Sequence, residues 1–306
     1  MLCMGKVSLT VIMITLNEEY HIEKAIDNVS DIAENIFIVD SLSDDRTVDI
    51  ALEKGASIIQ RPFTNFGDQW NFALNNNPFD TDWVMKIDPD ERLSKKLKNQ
   101  IRETIDLKDS LNAYELKTRL WFMGKPLHVS MNLLRLWKSG MCKFSNVQVN
   151  EHALVKGNIG LLDGYLEHHD SRDLHHWMEK QNLYTTREAN RFYKSLEFSV
   201  PPNFFGTKME RKMFFKKHFF KIPFRYTLQF IYELFFRKAY LSGANGVRWV
   251  KSRIKVRKLI ELKIKEAKIK GSELYIPNNN NKLIYNKKVL ESELQINIFK
   301  VQKINK

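Results

Sequence analysis

Three carboxylates within four positions are the most concentrated candidate for chemistry in this sequence. Asp88, Asp90 and Glu91 follow the apolar run Trp83–Ile87, and Pro89 separates the two aspartates. The run is typical of a buried strand, and the proline ends it because proline offers no N–H to a sheet. Carboxylates this close repel one another unless something offsets their charge. A hard cation such as Mg²⁺ or Mn²⁺ holding a phosphate group, a basic partner, and a solvated acidic turn all satisfy the pattern.

A second polar cluster follows another apolar run. Asp40 ends the predicted strand Ile36–Val39, and Ser43 and Asp45 lie in the loop after it. A carboxylate at this position can accept the N–H of a pyrimidine ring or a ribose hydroxyl. The alternative is a purely local role, in which the loop caps the helix predicted at Thr47–Lys54.

Two further candidates lie later in the chain. Glu151 follows the alternating stretch Phe144–Asn150 and could take a proton from an attacking hydroxyl. His168 and His169 are neighbours on an extended segment, so their side chains point to opposite sides and at most one faces a given ligand. One of them could complete a metal shell or contact a phosphate. An exposed glutamate and a solvated histidine pair are the alternatives.

The elements that must position these residues alternate between strand and helix. The predicted strands are Val7–Leu16, Ile36–Val39, Ser57–Gln60 and Trp83–Ile87, and the helices between them are Tyr20–Val29, Thr47–Lys54 and Gln69–Asn75. This order predicts an α/β fold with a mostly parallel, Rossmann-like sheet flanked by helices. Polar residues after each strand then lie at the sheet edge where such folds bind ligands. Neither G-x-G-x-x-G nor the P-loop motif is present.

The middle of the chain has other patterns. Residues 92–110 and 174–194 predict helices, and residues 113–155 predict strands, which we expect to be antiparallel. The prediction of strands rests on three short alternating runs: Tyr114–Thr118, Leu133–Trp137 and Val147–Val149.

The C-terminal third is strongly basic and aromatic. Residues 203–270 contain 19 Lys/Arg and 4 Asp/Glu, and they dominate the net charge of +13 of the 306-residue chain. Basic helices with aromatic anchors are typical of an anionic membrane surface. Single-stranded nucleic acid and simple packing of the aromatic residues on the rest of the protein are the alternatives, and we favour the membrane and expect no nucleic acid. We predict three regions: residues 1–202, the basic helical extension 203–270, and a mobile tail 271–306.

The cysteines and the apolar runs of the sequence indicate where in the cell the protein is expected. The sequence has two widely separated cysteines, which favours a reducing compartment over a disulfide framework. The apolar run Val7–Ile14 is too short for a convincing signal peptide, and no stretch of about 20 uninterrupted apolar residues predicts a spanning helix.

Three motifs in order resemble the family 2 glycosyltransferases, which are inverting enzymes of the GT-A fold. They begin at Val11-Ile12-Met13-Ile14-Thr15-Leu16-Asn17-Glu18-Glu19, continue at Ile38-Val39-Asp40-Ser41-Leu42-Ser43-Asp44-Asp45-Arg46-Thr47, and end at Trp83-Val84-Met85-Lys86-Ile87-Asp88-Pro89-Asp90-Glu91. Residues 133–170 and the motif Leu241-Ser242-Gly243-Ala244-Asn245-Gly246 resemble the subgroup that includes bacterial lipopolysaccharide-core β-glucosyltransferases.

The resemblance implies a UDP-sugar donor, most readily UDP-glucose, and Mg²⁺ or Mn²⁺. The implied donor-site residues are Thr15, Asn17, Glu18, Asp40, Ser43, Asp45, Lys86 and Asp88. Asp40 would contact the uracil, and Asp88 the ribose or the metal. Asp90, with His168 or His169, would bind the cation, and Glu151 would be the general base. Lys86 is included because Trp70 stands where the family commonly has an arginine.

The implied acceptor is a glycolipid or oligosaccharide of the cell envelope. The expected location is the cytoplasmic face of the bacterial inner membrane, as a peripheral protein. A metal-dependent nucleotidyltransferase and a non-catalytic, membrane-associated module that retains the fold are the rival functions.

Overall fold

The computed structural model describes residues 5–107, 110–145, 153–194 and 200–276. They group into two compact units. The first comprises residues up to Arg119 and Met131–Asp170, and the second comprises Leu120–Ser130 and residues from Ser171 onward. Thus the helix predicted at 174–194 groups with the basic segment. Glu151 and Val147–Val149 lie outside the described residues, as does the tail from residue 277.

The first unit is an α/β sheet unit. Its elements in chain order are β1 (Val7–Thr15), α1 (Ile22–Val29), β2 (Ala33–Asp40), α2 (Thr47–Glu53), β3 (Ser57–Gln60), α3 (Phe66–Asn75), β4 (Trp83–Lys86), β5 (Glu91–Leu93), α4 (Lys95–Ile105), β6 (Ala113–Phe122), β7 (Lys125–Lys138), β8 (Cys142–Phe144), β9 (Ala153–Val155) and β10 (Ile159–His168). The end of the hairpin that joins β6 to β7, Leu120–Ser130, belongs to the second unit. The predicted alternation of strand and helix is confirmed, and β5 is a short strand that the sequence pattern did not predict.

The large sheet has eight strands in the order β3-β2-β1-β4-β7-β6-β10-β5. β1 pairs in parallel with both β2 and β4, β2 pairs in parallel with β3, and β4 pairs antiparallel with β7. The chain leaves β1 toward one side of the sheet for β2 and returns to the other side for β4. The carboxyl ends of β1 and β4 therefore flank the switch point where α/β sheets bind ligands.

Both faces of the parallel strands are buried, which explains their continuous apolar sequences. Val11 and Met13 of β1 face one cluster, which also contains Ile22 of α1. Ile12 faces the other, which contains Trp70 of α3. Because neighbouring side chains in a strand point to opposite faces, β1 contributes to two core clusters at once. This packing on both faces fixes the position of its polar C-terminal end.

The second unit is helical. Its helices are α5 (Leu174–Tyr193), α6 (Lys208–His218), α7 (Arg225–Ile231) and α8 (Gly243–Lys270), with a π-helical continuation of α7 at Tyr232–Phe236 and single 3₁₀ turns at Phe219–Lys221 and Ala239–Ser242. Within the described part of the chain, no helix is both long and apolar enough to cross a membrane.

The motif that begins at Leu241 anchors the end of the β6–β7 hairpin within this unit. Asn245 donates a hydrogen bond to the carbonyl of Phe122 (2.8 Å), and Ser242 accepts one from the amide of His128 (2.8 Å). Gly246 lies against the backbone, because a Cβ placed on it would come within 1.8 Å of the carbonyl oxygen of Ala239. The glycine is therefore required by close approach of two backbone segments.

We expect Gly246→Ala to destabilise the second unit by about 2 kcal/mol, because the added methyl forces the backbone at Ala239 to move. Thermal unfolding of the full chain measures this effect. Gly243→Ala is not a suitable control because Gly243 has a positive φ, whereas Ala244→Ser on the exposed side of the same turn is one. Equal melting temperatures for Gly246→Ala and the parent would contradict the packing described here.

Candidate active site

Asp40 organises the loop after β2. Its side chain is completely buried and accepts four hydrogen bonds: from the Thr15 hydroxyl (2.7 Å), from the amide and hydroxyl of Ser43 (2.8 and 2.5 Å), and from the Gln60 side chain (2.9 Å). Two bonds on each oxygen fill the acceptor positions of a carboxylate. In this arrangement Asp40 shapes the loop, and a base N–H could reach it only by replacing one of these donors.

The loops after β1 and β2 are tied to each other. Asn17, which has a left-handed backbone (φ 55°), donates its backbone amide to the Ser43 hydroxyl (2.9 Å). Its side chain donates to the Asp44 carboxylate (2.9 Å) and accepts from the backbone amide of Asp44 (3.0 Å). The Asp45 carboxylate accepts from the amide of Thr47 (2.9 Å), whose hydroxyl accepts from the amide of Glu18 (2.7 Å). These contacts bring the predicted donor-site residues of both motifs together in one rigid rim.

A buried arginine holds the first half of the acidic turn after β4. One guanidinium nitrogen of Arg135, on β7, donates to Asp88 (2.8 Å) and to Glu91 (2.6 Å). The other oxygen of Glu91 accepts from the amide of Asp88 (2.9 Å). Arg135 and Glu91 are both almost fully buried. Glu91 therefore belongs to the foundation of the turn, and Asp88 is already paired with a cation from the protein.

The electrostatics of this triad are balanced between burial and opposite charge. Burial raises the pKa of Asp88, but the charges of Arg135 and Lys86 outweigh it, so the pKa of Asp88 lies below its usual value. At Glu91, burial outweighs Arg135 and the pKa lies above its usual value. Burial lowers the pKa of Arg135, yet the two carboxylates more than offset this and keep the guanidinium charged.

Asp90 lies on the other side of the turn and faces a histidine. β10 runs antiparallel to β5, which places His168 opposite Glu91 in the register, and the amide of His169 donates to the carbonyl of Asp90 (2.8 Å). The imidazole Nε2 of His168 lies 3.2 Å from an Asp90 carboxylate oxygen. Ligand atoms of Asp90, His168 and Asp170 all lie within 4.8 Å of one another. His169 is not a member of this group.

The donor set fits a divalent cation. Two carboxylates and one imidazole suit Mn²⁺, and a site with carboxylates and room for phosphate oxygens suits Mg²⁺. Burial lowers the pKa of His168. Its hydrogen bond to Asp90 and the charges of Asp90, Glu91 and Asp170 have a larger effect in the opposite direction, so the pKa is raised to about 9. Without a metal the imidazolium is the counter-ion of Asp90. A metal at Asp90 would therefore have to replace a proton.

We expect metal affinity to rise with pH for this reason. Below pH 9 the binding of Mn²⁺ should release a proton from His168, so the apparent affinity should increase by about tenfold per pH unit between pH 6.5 and 8. In the metal-free protein the sign is opposite, because the His168–Asp90 pair stabilises the fold fully below pH 6.5 and is lost as pH rises through 9. Calorimetric titration with Mn²⁺ at several pH values measures the slope.

His168→Gln should bind Mn²⁺ more weakly and with a flatter pH dependence. His175→Gln is the control, since His175 is exposed on α5 and is not in the cluster. A pH slope that is the same in His168→Gln and in the parent would exclude His168 as the linked proton site.

Lys86 is buried at the end of β4 against two aromatic rings. Its ammonium lies 4.2 Å from the centre of the Trp70 ring and 5.4 Å from that of Phe144, and the two rings stack at 5.6 Å. Asn71 fixes Phe144 through hydrogen bonds to its carbonyl (2.9 Å) and amide (2.8 Å). Cation–π contacts of this kind orient a buried cation. Trp70 stands where the arginine was expected, and its ring contacts the ammonium of Lys86 on β4 instead.

The structure collects most predicted site residues into two groups. Thr15, Asn17, Glu18, Asp40, Ser43 and Asp45 form the rim, and Asp88, Asp90 and His168 surround the acidic turn. Lys86 acts electrostatically on Asp88. Two residues were not predicted for the site. Arg135 could have been found as a charge inside the apolar run Leu133–Trp137, since buried charges require partners. Asp170 could have been found from its place beside the histidine pair.

The family model and two curated relatives that match this chain are all glycosyltransferases. The model of Glycosyl transferase family 2 matches residues 10–123. The lipopolysaccharide core biosynthesis glycosyltransferase LpsC of Rhizobium meliloti is 30% identical over 220 residues, which cover 65% of this chain and 80% of LpsC. An uncharacterized glycosyltransferase of Rickettsia typhi is 26% identical over 288 residues, covering 88% of this chain and 92% of that protein.

Solved structures are more distant. The mannosyltransferase PcManGT of Pyrobaculum calidifontis, solved with GDP-Man and Mn²⁺, covers 86% of this chain and 88% of its own at 13% identity, with a TM-score of 0.49.

Proposed function

Because the chain belongs to glycosyl transferase family 2 and has its GT-A type of α/β fold, we propose that it is an inverting enzyme that transfers a sugar from a UDP-sugar. Glucose is the first sugar to test. The acceptor is a hydroxyl of a cell-envelope glycolipid or polysaccharide precursor such as lipopolysaccharide core, at the cytoplasmic face of the inner membrane. The similarity to LpsC, a glycosyltransferase of lipopolysaccharide core biosynthesis, supports this class of acceptor.

The observation on which the proposal mainly depends is the cluster of Asp90, His168 and Asp170 at the turn that follows β4, one of the two strands that flank the switch point. These residues would hold Mn²⁺ or Mg²⁺, which when bound neutralises the charge that develops on the departing diphosphate. The rim after β1 and β2 would bind the nucleoside through its hydroxyl and amide groups. Lys86 supplies a fixed positive charge near the same turn.

In the proposed reaction Glu151 accepts the proton of the acceptor hydroxyl as its oxygen attacks the anomeric carbon of the sugar. The new carbon–oxygen bond forms on the face opposite the UDP, and the bond from the anomeric carbon to the diphosphate oxygen breaks. UDP leaves with the bonding electron pair, and the configuration at the anomeric carbon is inverted. Glu151 lies outside the described residues, and its role is proposed from its place in the sequence and from the family resemblance.

The purified full chain tests the proposal when it is incubated with Mn²⁺, a panel of UDP-glucose, other UDP-sugars and GDP-mannose, and extracted envelope glycolipids. We expect UDP release that depends on both metal and acceptor, and a β-linked product from an α-linked donor. Pyrophosphate release from UTP and a sugar phosphate would instead indicate a nucleotidyltransferase. Absence of nucleotide release from every donor would favour a non-catalytic protein.

A further inference from the structure

Helix α7 and its π-helical continuation present an apolar stripe to solvent. Its members recur every three or four positions and are all exposed, from 42% at Ile231 to 83% at Phe224. We call them the outer stripe: Phe224, Leu228, Ile231, Tyr232, Phe235 and Phe236. Such spacing places Leu228 and the later members on one side of the helix, and Phe224 immediately precedes it. A contiguous apolar surface of this kind marks an interaction site, whereas single exposed apolar residues do not.

The opposite side of the same segment is fixed to its own unit. Glu233 is buried and pairs with Arg253 (3.1 Å) and Arg237 (3.2 Å), and Phe230 and Leu234 pack against a core cluster. Turning the stripe inward would leave the Glu233 charge without partners, which is costly. The helix therefore has two apolar faces, and the internal contacts determine which one remains outside.

The start of the helix is held in the same orientation. Arg225 donates to both oxygens of Glu261 on α8 (2.8 Å each). Phe224, immediately before it, has a left-handed backbone (φ 52°), a strained conformation for a bulky residue. This strain brings no burial of the Phe224 ring within the unit. A favourable contact of the ring outside the unit would explain why Phe224 is held in this exposed position.

Positive charge lies at both ends of the stripe. Lys221 precedes it and Lys238 follows it, and both side chains are exposed. Aromatic and aliphatic side chains with lysines at their border fit the boundary between headgroups and acyl chains of an anionic membrane. Leu228 and Ile231 offer no ring on which a base could stack, which disfavours single-stranded nucleic acid. A second copy packed antiparallel on the stripe would bring lysines of both copies together.

We propose that the outer stripe enters the interface of an anionic membrane, with Lys221 and Lys238 at the headgroup phosphates. This inference narrows the membrane contact from the whole basic region to one helix face, and α8 is then a support. It rests on the proposed location at a membrane. Its test measures lipid binding and not sugar transfer, so the two proposals can fail separately.

Flotation of the full chain with vesicles of phosphatidylglycerol and phosphatidylethanolamine tests the stripe. Phe224→Ser combined with Phe236→Ser should weaken binding at least about tenfold, because two aromatic rings no longer leave water. Both side chains are largely exposed, so the fold should be retained. Ile269→Ser with Tyr275→Ser is the matched control, since these side chains are equally exposed but lie on and after the end of α8.

The charge component is tested by Lys221→Gln with Lys238→Gln. Two lysines near an anionic surface should account for roughly 30-fold in affinity at low salt, and this difference should vanish on phosphatidylcholine vesicles. Lys268→Gln, exposed near the end of α8, should change little.

The proposal would be overturned if the wild-type protein did not bind anionic vesicles. It would also be overturned if the Phe224/Phe236 variant bound them as tightly as the parent does. Equal loss in the Ile269/Tyr275 control would also overturn it. So would a wild-type dimer that the Phe224/Phe236 variant converts to monomer without any lipid binding, since a second copy would then occupy the stripe. Transfer to a water-soluble acceptor should be unchanged in the variant. Absence of nucleotide release from every donor in the wild type would instead contradict the proposed reaction.

Discussion

Replacing Asp90 with alanine is expected to reduce sugar transfer by about 10³-fold or more. Asp90 is the carboxylate shared by the His168 contact and the candidate metal cluster. A metal on a leaving diphosphate contributes several kcal/mol to stabilising the transition state, and about 4 kcal/mol corresponds to 10³ in rate. We expect most of the loss in kcat. The initial rate of UDP release at saturating donor and Mn²⁺ measures the effect.

A second readout separates loss of the metal site from loss of the fold. Without Asp90, the pKa of His168 should fall, because the hydrogen bond and charge that raise it are gone while its burial remains. Proton NMR titration of the imidazole measures this shift. Asp80→Ala is the control, since Asp80 is an exposed aspartate before β4. Full activity of Asp90→Ala, with Mn²⁺ affinity unchanged, would remove the cluster from the proposed mechanism.

The parallel half of the sheet could be predicted because its strands are buried on both faces. Continuous β-branched runs such as Val7–Thr15 signal that environment directly, and each ends at the polar residue that begins a loop. The rim after β1 and β2 followed from the same logic, because adjacent parallel strands bring their ends together. Pairing between the Asn17 and Asp44 side chains follows from this adjacency but cannot be read from either loop alone.

The sequence left the environment of the acidic turn open between cation, basic partner and water. In the structure a basic side chain pairs with each aspartate, on different sides of Pro89: Arg135 with Asp88, and His168 with Asp90. Arg135 comes from β7 and His168 from β10, which are 47 and 78 positions from their partners Asp88 and Asp90. Such contacts depend on the antiparallel pairing of β7 with β4 and of β10 with β5. Alternation of apolar residues predicted β7 but not its neighbour in the sheet, and neither β5 nor β10 was predicted as a strand.

The basic region was harder to interpret from composition. Many of its charges serve the unit internally: Arg225 pairs with Glu261, Arg253 with Glu233, and Lys216 with Glu188. Net charge counts these residues equally with exposed lysines. Only the distribution of partners in space reveals that the outer stripe, and not the whole basic segment, forms the exposed apolar surface.

Replacing Arg135 with methionine should destabilise the first unit by about 3–5 kcal/mol. The change leaves Glu91, which is almost fully buried, and its neighbour Asp88 without the guanidinium that both contact. Removing one partner of a buried ion pair exposes the full cost of the charge that remains. Because stability of a whole domain is of the same order, the variant should melt far below the parent. Denaturant unfolding of the full chain measures the difference.

The charges, and not the volume of the side chain, should cause this loss. Combining Arg135→Met with Asp88→Asn and Glu91→Gln removes all three charges and should recover a large part of the stability, because no uncompensated carboxylate remains. Arg46→Met is the control: its pair with Glu53 is exposed and 3.8 Å apart, so it should change stability by less than about 0.5 kcal/mol. If the triple variant were as unstable as Arg135→Met, packing around the guanidinium would be the main contribution. Transfer activity should remain low in the triple variant, because Asp88 then no longer carries the negative charge that the turn presents beside Asp90.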